Sequence, residues 1–192
     1  MKRRQPDSIV GPNSERFTLQ DFIGAGAFGR VYRVVGKSGS VYAVKLLGHD
    51  LDDELSARAL LNEAKLAQEI KHPNVVNVVF ADQDPTLGPY ILMEYLPEGT
   101  LKDLIRSQSG QQLTLERAIA IMLDIAQGTR AINTRLVHRD IKPDNVLRSA
   151  DRFKVADFGI SKVVGRLSSL TVESPLTSYG FSPTLKTCMA PG

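Results

Sequence analysis

Four short strings hold the residues whose types could carry chemistry. The densest is VHRDIKPDNVL, residues 137–147, where Asp140, Lys142 and Asn145 put a carboxylate, an ammonium and an amide within six residues. Pro143 disfavours a helix through them, so the string is expected to be a loop that presents its side chains. Asp157-Phe158-Gly159 follows twelve residues after Asn145 and adds a second carboxylate, of the oxygen-ligand type that hard divalent cations prefer. In VYAVK a strand period of two puts Ala43, Lys45 and Leu47 on one face, so a small residue and a cation share a surface. A lysine held extended there needs an acidic partner, and Glu63 is the expected one; taken as a lone pair, Lys and Glu read equally well as surface charges.

Gly24, Gly26 and Gly29 complete the set as GxGxxG, a weak signal alone because dinucleotide-binding folds share it. A dinucleotide fold needs a helix after the glycines, and here RVYRVV reads as a strand. A glycine turn between antiparallel strands can lay backbone N–H groups over phosphates, and it can also be a plain structural turn.

The elements that must position these strings follow from patterning. FTLQDFIG, RVYRVV and VYAVKLL read as three strands of an antiparallel meander, and VVNVVF and YILMEY as two more. Between them a helix is expected from Asp50 to Ile70, with Leu55, Ala59, Leu66 and Ile70 near one face, ended by Pro73. After Gly99 the pattern turns helical: TLKDLIRS is short, and LTLERAIAIMLDIAQGTRAIN is long, with Ile119, Met122, Leu123 and Ala126 at helical spacing. RFKVA is a short strand before Asp157. Residues 1–15 are polar, with Pro6, Gly11 and Pro12, and are expected to form a disordered leader. From Arg166 to Thr187 nine of 22 residues are Ser or Thr without periodicity, so a long loop is expected.

Composition excludes several classes. The 192 residues carry 24 Lys plus Arg and 21 Asp plus Glu, a net charge of +3, too mild to imply nucleic acid. Lys2, Arg3 and Arg4 fall short of a basic cluster that binds nucleic acid or acidic lipid. No apolar run reaches a membrane-spanning length. Cys188 is the one cysteine, with no partner for an internal disulfide, which suits a reducing compartment and a cytoplasmic protein.

In order and spacing, GxGxxG, YAVK, HRDIKPDN and DFG make residues Phe17 to about Val164 resemble the eukaryotic-type (Hanks-type) protein kinase family. The resemblance implies an α+β, two-lobed fold: a leader over 1–15, an N-lobe over 16–95 with a five-stranded antiparallel sheet and one helix, and a helical, incomplete C-lobe over 96–192. It implies ATP and Mg²⁺ as cofactors and transfer of phosphate to Ser or Thr of a protein substrate. Lys45 would contact the phosphates and pair with Glu63; Asp140 would orient the substrate hydroxyl; Lys142 would meet the γ-phosphate, as in the Ser/Thr-specific version of the loop; Asn145 and Asp157 would hold the metal. Gly24, Gly26 and Gly29 would cover the phosphates. Val31, Ala43 and Leu147 would sandwich the base, Met93 would be the gatekeeper, and the Glu94 carbonyl and the Leu96 backbone would read the adenine edge. His138, Phe158 and Ala67 resemble members of a hydrophobic spine. Arg139 resembles the arginine of kinases whose activation loop is phosphorylated, with Thr171, Thr177 and Thr184 as candidate sites.

The family's APE string is APG here, and the helices that usually follow it are not in the sequence. The resemblance therefore implies a domain truncated after the activation segment, with apolar surface exposed on the helix around Ile119 to Ala126 and at the HRD loop. A kinase-like remnant that binds nucleotide or a partner without turnover is the alternative expectation.

Overall fold

A computed structural model describes residues 8–26, 29–47, 54–108 and 113–157. Its main sheet is antiparallel, six strands in the order β1-β2-β3-β4-β6-β5: β1 (Ser8–Val10), β2 (Arg16–Gly26), β3 (Gly29–Gly36), β4 (Val41–Leu46), β5 (Val78–Asp84) and β6 (Gly88–Glu94). Helix α1 (Glu54–Glu69) lies against β5 and β6. Beyond the sheet come α2 (Leu101–Ser107), α3 (Leu115–Ile132) and a hairpin of β7 (Val146–Ser149) and β8 (Arg152–Val155). Five strands were expected and six are found, because part of the leader folds. Ile9 is fully buried, β1 pairs with β2, and the Tyr90 hydroxyl donates to the Val10 carbonyl at 2.7 Å. Burial among neighbouring aspartates raises the Tyr90 pKa further above its ordinary value, so that hydroxyl keeps its proton.

Strand alternation sorts the sheet into two faces. Tyr32, Val34, Val44, Tyr90 and Leu92 join Ile9 and Phe17 in one cluster. Leu47, Val78 and Ile91 point the other way, into a second cluster with Leu60, Ala64 and Ala67 of α1 and Ile70 just after it. Of the expected face Ile70 is buried and Ala59 half-buried, while Leu66 is exposed and the buried positions among the helix's described residues are Leu60, Ala64 and Ala67. The second cluster continues through Val75 to Ile132 of α3 and Val155 of β8, so the sheet and the helical half share one core.

Two close backbone approaches fix that junction. A Cβ on Gly128 of α3 would lie 2.2 Å from the Asn74 carbonyl oxygen, so only glycine lets the helix reach the loop after α1. Asn74 in turn accepts from Val155 N and donates its side-chain amide to the Phe153 carbonyl at 3.0 Å. Ile121, Gly128 and Ile132 form the buried face of α3. Ile119, Met122 and Leu123 are exposed, as are Val137 and Ile141 of the following loop. Among the described residues no helix is long and apolar enough to cross a membrane.

Candidate active site

The site lies where the sheet meets the β7–β8 hairpin. Cross-strand partners share a face, and the pairs Gly24–Val31, Val31–Lys45, Ala43–Met93 and Lys45–Ile91 put Val31, Ala43, Lys45 and Met93 on the α1 side of the sheet. Gly26 pairs with Gly29 at the end of the β2–β3 hairpin, whose tip residues lie outside the described part. Gly29 has φ +138, and a Cβ there would lie 2.1 Å from the Leu46 carbonyl oxygen, so a side chain is excluded for steric as well as conformational reasons. Gly24 has open space around its Cα.

Lys45 is buried, and its ammonium pairs with Asp157 at 2.8 Å. The expected partner was Glu63; the ion pair seen is with Asp157, which follows β8 directly. Glu63 lines a cavity of about 300 Å³ with Arg135, Leu136, Val137 and Arg139.

The second group of residues sits on the loop between α3 and β7. Pro143–Asn145 form one 3₁₀ turn, preceded by extended Lys142, so the loop folds back on Asp140. Asp140 Oδ2 accepts from Lys142 Nζ at 2.7 Å and from Asn145 Nδ2 at 3.0 Å. The Lys142 ammonium, then the Asn145 amide, holds the Asp140 carboxyl below its ordinary pKa, and Lys142 is raised in return. Asp140 is therefore ionised at neutral pH. The Asn145 amide nitrogen also donates to the Asp140 carbonyl at 2.9 Å, leaving the side-chain oxygen as the ligand atom.

His138 ties the two groups together. Asp140 N–H donates to His138 Nδ1, which puts the ring proton on Nε2, 2.8 Å from the Ala156 carbonyl. Ala156 N–H returns to the Asn145 carbonyl at 2.8 Å. Arg139 and Asp157 both have positive φ, 64° and 58°, so the two residues beside the buried histidine's contacts are held in sparsely populated backbone. Burial keeps the His138 pKa below its ordinary value, so the ring is neutral.

Two further residues hold Glu94, the end of β6, and were not singled out by motif. Lys154 of β8 holds both carboxylate oxygens of Glu94, at 2.9 and 2.8 Å, and Asn77 N–H donates to Glu94 Oε1 at 2.6 Å. Thr100 caps α2 reciprocally with Asp103 and bridges to Leu147 of β7, which brings Leu147 beside the segment that contains Leu96. The available signal was Lys154 itself, a lysine three residues before Asp157 on a strand whose neighbours Phe153 and Val155 are apolar. Phe158, Gly159, Thr171, Thr177, Thr184 and Cys188 lie outside the described residues.

A glycine hairpin, a buried lysine on the sheet, and two carboxylates and an amide thus gather where the sheet meets the helical half. The model for the protein kinase domain matches residues 17–184, and the chain belongs to that family. A probable serine/threonine-protein kinase of Dictyostelium discoideum is 30% identical over 189 residues, covering 93% of this chain and 38% of the relative. The serine/threonine-protein kinase VIK of Arabidopsis thaliana is 32% identical over 166 residues, 82% of this chain and 37% of the relative. The tyrosine-protein kinase Fer of Mus musculus is 32% identical over 154 residues, 78% of this chain and 18% of the relative. The chain thus spans well under half the length of these relatives. Among solved structures, the PknI kinase domain of Mycobacterium tuberculosis superposes with a TM-score of 0.68 at 24% identity, over 82% of this chain and 63% of that one, a likeness of fold.

Proposed function

We propose that the chain is the nucleotide-binding and phosphoryl-transfer part of an ATP-dependent protein serine/threonine kinase, acting in the cytoplasm. The observation that carries this reading is the joining of the Lys45–Asp157 pair to the Asp140–Lys142–Asn145 cluster through His138 and Ala156. The oxygen donors of Asp157 and Asn145 fit a hard divalent cation, because the Asn145 nitrogen is already committed and its oxygen is the free ligand atom. Mg²⁺ held there would neutralise charge across the phosphates. Lys45 would exchange its contact with Asp157 for phosphate oxygens, and the glycine hairpin would lay backbone over them. Asp140, ionised and fixed by Lys142 and Asn145, would orient the hydroxyl of a protein substrate, and Lys142 would stand beside the transferred group.

Serine or threonine is favoured as the acceptor by Lys142, two residues after Asp140, as in the Ser/Thr-specific form of this loop. The relatives include both serine/threonine and tyrosine kinases, so the acceptor is a matter for experiment. Incubation with labelled Mg-ATP and a mixed protein substrate should give phosphoserine and phosphothreonine, and Asp140→Asn should abolish both. Label on tyrosine would overturn the acceptor assignment, and equal transfer by Asp140→Asn would overturn the site. A second reading, nucleotide binding without turnover, is favoured by the ion pair of Lys45 with Asp157, which engages the carboxylate a metal would need; it predicts binding of Mg-ATP with no transfer.

A further inference from the structure

Glu94 N–H donates to the Asn77 carbonyl at 3.0 Å. In a flat antiparallel pair the reciprocal bond would run from Asn77 N–H to the Glu94 carbonyl. Here Asn77 N–H goes to Glu94 Oε1 at 2.6 Å instead. The side chain has taken the donor that its own carbonyl would otherwise meet. It is kept in place by Lys154, which grips both oxygens from the opposite lobe, with both side chains largely buried at 16% and 25% exposure.

We propose that this carboxylate is a specificity-positioning device: by occupying Asn77 N–H under the hold of Lys154, it leaves the Glu94 carbonyl to accept from the exocyclic amine of adenine. The proposal rests on the reading of Glu94 as the residue whose backbone meets the base, and it extends that reading to Glu94's side chain, Lys154 and Asn77. The reason is one of hydrogen-bond satisfaction. A partly buried backbone N–H takes the best acceptor within reach, and with the carboxylate gone that acceptor is the Glu94 carbonyl. Lys154 stands three residues before Asp157 on the same stretch of chain, so the clasp also joins the base-reading strand to the carboxylate that faces Lys45.

The test compares two ligands of the same shape that differ at one group: adenosine, and purine riboside, which lacks the 6-amino group. Calorimetric titration of the full chain should show adenosine bound more tightly, by roughly tenfold for one well-formed hydrogen bond. Glu94→Ala should bring the ratio close to one, by weakening adenosine and sparing purine riboside. Glu94→Gln, which keeps an acceptor for Asn77 N–H, should retain most of the ratio, and Lys154→Met should lower it. Melting temperature is read for each variant. If Glu94→Ala does not fold, the Glu94→Gln and Lys154→Met comparison decides the matter in the same way. A ratio unchanged in Glu94→Ala or Lys154→Met overturns the proposal, as does an equal loss of both ligands, which is what general loosening of the cleft would give. A parent chain that binds neither nucleoside overturns the nucleotide-binding reading itself, an outcome separate from bound ligands with an unchanged ratio.

Discussion

At the scale of single residues, the chemistry depends on side chains that hold one another. Asp140 cannot be placed without Asn145, whose amide bonds both its carbonyl and its carboxylate, and neither can be placed without His138, which fixes the loop to the strand end before Asp157. The histidine brings a pH dependence with it. Its folded pKa lies below the ordinary value of 6.5, so the unfolded chain takes up the proton more readily. The stabilisation is full above the unfolded value, starts to fall as the pH drops below it, and is gone once the pH passes the lower, folded value. Melting temperature should therefore decline below about pH 6.5, and His138→Gln, which keeps a donor for the Ala156 carbonyl but does not titrate, should flatten that decline.

Most of these residues were legible because their chemistry is local: Asp140, Lys142 and Asn145 sit within six residues, and the geometry of one 3₁₀ turn joins them. The ion pair of Lys45 with Asp157 was not legible, because it depends on how the end of β8 is brought against β4, a tertiary fact that no spacing encodes. Lys154 was missed for a similar reason, since a lysine on a short strand looks like surface until Glu94 is brought against it.

At the scale of elements, the order of strands and helices showed in the sequence, and the buried faces showed only in part. The short helix after Gly99 begins and ends within a residue of its expected span because Thr100 and Asp103 form a capping box, a signal written in four consecutive residues. Thr100→Ala should cost about 1 kcal/mol, read as a drop of roughly 2–4 °C in melting temperature. The faces of α1 and α3 were harder, since apolar residues lie on more than one side of each helix and only contact decides which are covered. Strand β1 lies in a polar stretch, and only the fully buried Ile9 reveals its place. The contact between Gly128 and the Asn74 carbonyl offers the sharpest test of element packing. Gly128→Ala gains helix propensity in isolation but forces a backbone clash, so a loss of about 1–3 kcal/mol is expected by thermal or denaturant unfolding, where propensity alone would give a gain.

At the scale of the whole molecule, one cluster runs from Leu47 on the sheet through α1 to Ile132 and Val155, so the two lobes are not independent folding units. Unfolding monitored by a probe on the sheet and by one on α3 should give coincident transitions. Ile132→Ala should destabilise both together, by about 2–5 kcal/mol. Shared packing also explains how a nucleotide bound between the lobes would stabilise all of the chain.

If Lys45, Asn145 and Asp157 form a working site for a metal-bound nucleotide, the nucleotide must stabilise the fold, and ligand-dependent melting reads this. Mg-ATP at about 100 times its dissociation constant should add about 2.7 kcal/mol, or roughly 5–10 °C for a chain of this size. The shift should require Mg²⁺ and vanish in Asp157→Ala. A parent chain that melts at the same temperature with and without Mg-ATP, or an Asp157→Ala variant stabilised as much as the parent, would mean that these residues hold no such nucleotide.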